Sequence, residues 1–109
     1  MKQVYRSYSD SGHGWLAVPL KDIYKLGIEN AISNYSYVKG KTVYLEEDCD
    51  ATCFIVSYKK IMGYEPALAK NVNTNNRSRI RSYNSYRKPV NMLMFDVNSL
   101  GNYLKSIGQ

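Results

Sequence analysis

The chain has 109 residues, 44% of them hydrophobic and 22% charged, and its 15 Lys and Arg against 9 Asp and Glu give a formal charge of +6. This composition excludes a wholly disordered chain, and the length fits one domain over residues 1–109. The positive charge points to phosphates, anionic membranes or acidic protein surfaces without choosing among them.

Gln3 to Ser9 sets Val4, Arg6 and Tyr8 against Tyr5 and Ser7, the alternation of an edge strand. Asp10-Ser11-Gly12-His13-Gly14 is turn chemistry, because two glycines can take positive φ. Trp15 to Val18 is short and apolar, so strand, loop and strand read as a hairpin. Pro19 marks a helix boundary. Leu20, Ile23, Tyr24 and Leu26 fall near one side of a short helix over 20–26, which Gly27 ends. Ile28 to Ser33 reads as a further turn of helix with Ile28 and Ile32 inward.

Tyr35 to Val38 and Thr42 to Leu45 are β-branched or aromatic runs joined by Lys39-Gly40-Lys41, the clearest hairpin in the chain. The main helix follows over 50–62. Acids precede it and Lys59 and Lys60 end it, which suits the helix dipole. Asp48 or Asp50 is expected as its N-cap, and Phe54, Tyr58, Ile61 and Met62 repeat at helical spacing, with Ile55 beside them. Gly63 stops it and Pro66 prevents resumption. Ala67 to Asn73 and Arg79 to Tyr83 read as strands, Asn84 to Pro89 as irregular. A short helix near 98–107 closes the chain, capped by Asp96 or Asn98. The expected fold is α+β: a small antiparallel sheet with the 50–62 helix packed on one face.

Three groups carry the candidate chemistry. The acids Glu46, Glu47, Asp48 and Asp50 are dense enough to hold a divalent cation or act as acid and base, but they also sit where a helix N-terminus attracts carboxylates. Their spacing does not match a calcium loop, so capping and partner contact come ahead of metal. His13 is the only histidine. Cys49 and Cys53 make a reduced cytosolic pair, and with His13 supply only three ligands where a closed zinc site takes four. No serine motif or second histidine completes a triad. The expected protein is therefore not an enzyme and takes no cofactor or metal.

The basic arm is the stronger feature. Arg77, Arg79, Arg81, Arg87 and Lys88 lie in a stretch from Asn71 to Val90 that holds no acid, with Tyr83 and Tyr86 among them. Arginine forks suit phosphates, and tyrosines stack on bases. In a strand, Arg77, Arg79 and Arg81 would point the same way as a ridge with Ile80 facing inward. That ridge serves equally as a binding surface or as a charged edge that resists aggregation, and it has an intramolecular alternative in pairing with the acids at 46–50. The 11 tyrosines, against 2 Phe and 1 Trp, fit either a thin core of half-buried rings or a contact surface.

Asp10-Ser11-Gly12-His13-Gly14-Trp15-Leu16-Ala17-Val18-Pro19, Ile32-Ser33-Asn34-Tyr35-Ser36-Tyr37, Tyr44-Leu45-Glu46-Glu47-Asp48-Cys49-Asp50-Ala51 and Arg77-Ser78-Arg79-Ile80-Arg81-Ser82-Tyr83 together resemble a family of small proteins of bacterial phages, prophages and plasmids. The resemblance covers most of residues 5–86, and the family brings no biochemical activity to transfer. A mobile-element origin implies, by genomic habit rather than by fold, a non-enzymatic inhibitor that binds a bacterial defence complex such as a CRISPR effector. Its contacts would be the acids at 46–50 together with Arg77, Arg79, Arg81, Tyr83, Tyr86, Arg87 and Lys88. The alternative is a nucleic-acid-binding accessory protein that uses the arginine-rich segment 77–88. The chain opens with no apolar leader and has no run long enough to span a bilayer, so the host cytoplasm is the expected location, with no membrane partner.

Overall fold

The computed structural model describes residues 3–89, which form an α+β unit with one main helix on one face of a sheet. Strands β1 (Val4–Ser9) and β2 (Gly14–Pro19) make the first hairpin, with Tyr8 opposite Trp15 and Arg6 opposite Ala17. Helix α1 (Leu20–Lys25) follows. Strands β3 (Tyr37–Lys39) and β4 (Thr42–Glu46) make the second hairpin, turning at Gly40 with φ +61°. β4 then pairs antiparallel to β2.

Helix α2 (Asp50–Met62) has the expected bounds and ends on Gly63, whose φ of +84° is the left-handed cap that glycine adopts without a steric penalty. It buries Phe54 and Tyr58 against Tyr5, with ring centroids 5.0 Å and 6.0 Å from the Tyr5 ring. Leu16, Val18, Val43 and Leu45 complete that side of the sheet, and Ile23, Leu26, Ile28 and Ile32 close the core. Each fully buried side chain of this kind is worth roughly 1.5–3 kcal/mol. Two expected core positions are solvent-facing instead: Ile61 on α2 and Tyr24 on α1 are both about half exposed. Ile28 and Ile32 are buried as expected, but their segment forms turns rather than a helix, because Gly27 at φ +71° has already redirected the chain.

The sheet is mixed, not wholly antiparallel. After α2 the chain returns along the free edge of β1, where β5 (Ala67–Leu68) and β6 (Val72–Asn73) both pair parallel to it. The expected strand from 67 to 73 is thus two short pieces. β7 (Asn84–Ser85) pairs with β3 in a segment expected to be irregular. Among the described residues the strand order is β5-β1-β2-β4-β3-β7, with β6 beside β5 along β1.

The largest departure is at 79–83. The expected strand is a 3₁₀ turn over Arg79–Ser82, with Ser78 Oγ accepting the Ile80 N–H and Tyr83 N–H donating to the Ile80 carbonyl. A three-residue turn sends successive side chains in different directions, so the ridge of Arg77, Arg79 and Arg81 does not form. The expected helix near 98–107 lies outside the described residues.

Candidate functional site

Pairing and pleat put Arg6, Ala17, Tyr44 and Tyr37 in one row on the sheet face away from α2, with Tyr8, Trp15 and Glu46 in the next. No helix covers this face among the described residues. The 77–83 segment crosses it as a strap, with the Tyr83 ring 5.2 Å from Tyr44 and Lys39 Nζ 5.1 Å from the Tyr83 ring. Trp15 on the sheet and Ile80 of the strap itself are both buried, outside the helix-side core.

Asp10 anchors the strap. Its side chain is only 2% exposed. It accepts the Gly12 and His13 backbone N–H groups at 3.0 Å, closing its own turn. From the strap it accepts the Ser78 N–H at 3.0 Å and the Arg81 guanidinium at 2.6 and 2.8 Å. The Arg81 guanidinium first, then the Ser78 amide, hold the Asp10 carboxyl far below its ordinary range. Arg81 in turn lies over the Trp15 ring at 5.6 Å. Neither Gly12 nor Gly14 takes the expected positive φ; both lie close to side-chain ends, that of Arg81 fixed by Asp10 and that of Glu47 exposed. A Cβ on Gly12 would meet Arg81 Nη2 at 2.8 Å, and one on Gly14 would meet Glu47 Oε1 at 2.9 Å.

The strap lines two grooves. The first is an open groove of about 710 Å³ lined by Tyr8, Tyr44 and Tyr83 with Arg77 and Arg79, and by the polar side chains of Thr74 and Asn76. Arg77 and Arg79 are exposed, and neither belongs to an ion pair among the described residues. Burial raises the Tyr44 phenol, helped by Tyr83 and Tyr8 beside it. The Tyr8 and Tyr44 rings meet edge to face at 6.2 Å. The second groove, of about 490 Å³, has Trp15, Tyr35 and Tyr37 as walls, with His13, Glu46, Asp48 and Arg81 also lining it.

The expected site residues separate accordingly. Glu46 is a cap: it accepts the Asp48 and Cys49 N–H groups ahead of α2. Glu47 and Asp48 are exposed. Asp50 cannot meet a partner, being 1% exposed. Nor does Asp48 or Asp50 cap α2, where Cys49 holds the N-cap position without a side-chain bond. Asp50 instead accepts the Ser33 N–H, the Ser33 hydroxyl at 2.6 Å and the Ser36 hydroxyl at 2.5 Å, pinning the 33–36 turn to the helix. Tyr86 is also removed from the contact list. It is buried in the helix-side core with its hydroxyl donating to the Glu29 carbonyl, and that burial pushes its phenol up to about 12. Arg87 and Lys88 are exposed, and Arg87 lines a separate depression with Leu20, Tyr24 and Val38. Arg81 is neutralised, but by Asp10 rather than by the acids at 46–50.

His13 is exposed, with its ring 6.2 Å from Trp15, and shares the second groove with Glu46 and Asp48. Cys49 and Cys53 are free thiols. No group of three or more His, Cys, Asp or Glu among the described residues is placed to hold a metal ion. No helix among the described residues is long and apolar enough to cross a membrane. Tyr8, Tyr44 and Asp10 were not legible as site residues from composition. Tyr8 and Tyr44 alternate with the core-facing Tyr5, Val43 and Leu45, and that two-residue period is the signal that places them on the other face. Comparison with protein-family models, with curated proteins and with solved structures gives no match for this chain.

Proposed function

We propose that this protein binds single-stranded nucleic acid in the groove between Arg77, Arg79 and the tyrosines of the open sheet face. The observation that carries this reading is one groove lined by three tyrosines and two arginines that are outside any ion pair among the described residues. Aromatic rings beside a basic track are what unpaired bases and their phosphates require, because each base stacks and each phosphate takes a guanidinium. A duplex keeps its base faces stacked internally and would use only the charges. Among the described residues, no acidic side chain lines this groove.

Anisotropy titration of a short labelled oligonucleotide, single-stranded and then as a duplex, tests the reading. The single strand is expected to bind more tightly. Its log-log salt slope should be about −0.7 for each phosphate neutralised. Equal binding of both forms would reduce the groove to a non-specific charge effect.

Stoichiometric inhibition of a bacterial defence complex is the second reading. The exposed carboxylate of Asp48, in one groove with the 75% exposed Tyr35, favours it as a surface for a protein target, with the exposed Glu47 next to it in sequence. It loses Asp50 and Tyr86, both buried, from its expected contacts. Capture of a defined complex from nuclease-treated lysate, with no oligonucleotide affinity, would select this reading over the first.

A further inference from the structure

The second groove has a chemistry of its own. Its walls are aromatic, and Glu46 and Asp48 add carboxylates that only accept hydrogen bonds. The chain carries 15 Lys and Arg, yet Glu46, Glu47 and Asp48 form no ion pair among the described residues. The one guanidinium lining this groove belongs to Arg81 and is held by Asp10. A ring-walled groove with two carboxylates and one guanidinium already paired to Asp10 therefore sits on a positively charged molecule. Such a lining suits a cation better than a phosphate. The Trp15 ring already shows what its wall accepts, since the Arg81 guanidinium packs over it at 5.6 Å. Tyr35, 75% exposed, is positioned to cover a second cation from the open side.

We propose that this groove takes an arginine or lysine side chain from a basic segment of a protein partner, held between the rings and paired with Asp48. Arginine is the better occupant, because its planar face stacks on a ring while its edge reaches a carboxylate. The proposal is independent of nucleic-acid binding in the first groove. The two grooves share no lining residue, and among the described residues one is lined by free arginines where the other is lined by carboxylates. One face would then receive an anionic strand and a basic peptide together.

Trp15 is the only tryptophan and lines this groove, so its fluorescence is a probe of binding there, with the shift mapping to fix the place. The test titrates the protein with an Arg-Gly-Gly repeat peptide and with a Gln-Gly-Gly control, alongside amide chemical-shift mapping. The expected result is a saturable change in Trp15 emission with the arginine peptide only, and shifts centred on Tyr35, Tyr37 and Asp48. Tyr35→Ala and Asp48→Asn, both at exposed positions, are each expected to weaken binding about threefold or more. Equal response to the glutamine peptide, no response to arginine, or shifts elsewhere on the surface would overturn it. So would an oligonucleotide-induced Trp15 change that survives Arg77→Ala with Arg79→Ala but disappears in Tyr35→Ala, which would make the groove a base pocket.

Discussion

Arg81 reaches across 71 positions of sequence to Asp10, with Nε 2.6 Å from Oδ2 and Nη2 2.8 Å from Oδ1. This two-point bond, together with the Ser78 amide, converts an arginine-rich segment from an edge strand into a strap over the sheet. The strap decides which cations are free. Arg81 is spent on the fold, while Arg77 and Arg79 remain in the groove beside Tyr83.

The Asp10 carboxyl gives the protein an acid-sensitive joint. Its folded-state pKa lies below the ordinary value of 3.8, so the unfolded chain takes up the proton first. Stability contributed by this group is present above about pH 4 and is lost as the pH falls towards the depressed value. Urea midpoints measured from neutral to low pH are expected to fall on the acid side. Asp10→Asn should lower the neutral midpoint and flatten the acid dependence. An unchanged profile in Asp10→Asn would place the acid sensitivity elsewhere.

Asp50 is structural. Replacing it with Ala leaves the Ser33 amide and the buried Ser36 hydroxyl without their acceptor. The expected loss is about 2–4 kcal/mol of unfolding free energy by chemical denaturation. Tight oligonucleotide binding by the fraction that remains folded is expected, because Asp50 lies on the helix side of the sheet, away from the tyrosine groove.

Tyr86 makes an alkaline counterpart. Its phenol is raised to about 12 by burial, helped by Tyr24 and Glu29. A raised folded-state value means that its contribution is fully present below the ordinary phenol pKa of 10.0 and is lost as the pH climbs through about 12. Tyr86→Phe removes the bond to the Glu29 carbonyl and should cost about 1 kcal/mol at neutral pH. Phenolate absorbance during alkaline titration should lose a component near pH 12 in this variant, while the buried Tyr5 phenol, bonded to Asp22, still titrates above it.

Much of this architecture was readable in the chain. Helix α2 was legible to the residue because Lys59 and Lys60, then Gly63 and Pro66, mark its end, while Phe54 and Tyr58 repeat at helical spacing. The hairpin around Gly40 was legible from its β-branched flanks. The 79–83 segment was not. Its alternating Arg79-Ile80-Arg81 pattern is real, but a long-range acceptor at Asp10 outweighs it, and period alone holds no information about a carboxylate 71 residues away. The parallel pairing of β5 and β6 was hidden for a related reason. Strands of two residues carry too little pattern to state a direction. Of the proposed site, Arg77, Arg79 and Tyr83 were found in the sequence, but their partners Tyr8 and Tyr44 emerge only once strand pairing places them on the same face.

Arg77 and Arg79 should act as phosphate contacts and not as folding residues. Replacing both with Ala is expected to leave the unfolding free energy from urea titration within about 0.5 kcal/mol of the parent, as for exposed surface positions. The salt slope for single-strand binding should become shallower by about 1.4, from two contacts at about 0.7 each. A slope that does not move would assign the charge contact to Arg87 and Lys88 instead.

The central claim is that bases stack on the tyrosines of the open sheet face. Ultraviolet cross-linking of a single-stranded oligonucleotide, followed by mass-spectrometric identification of the linked residues, tests it most directly. The account predicts linkage at Tyr8, Tyr44 or Tyr83, with loss of the Tyr83 adduct and about 1–3 kcal/mol of affinity in Tyr83→Ala. Cross-links confined to residues outside this groove, or full affinity in Tyr83→Ala, would contradict it.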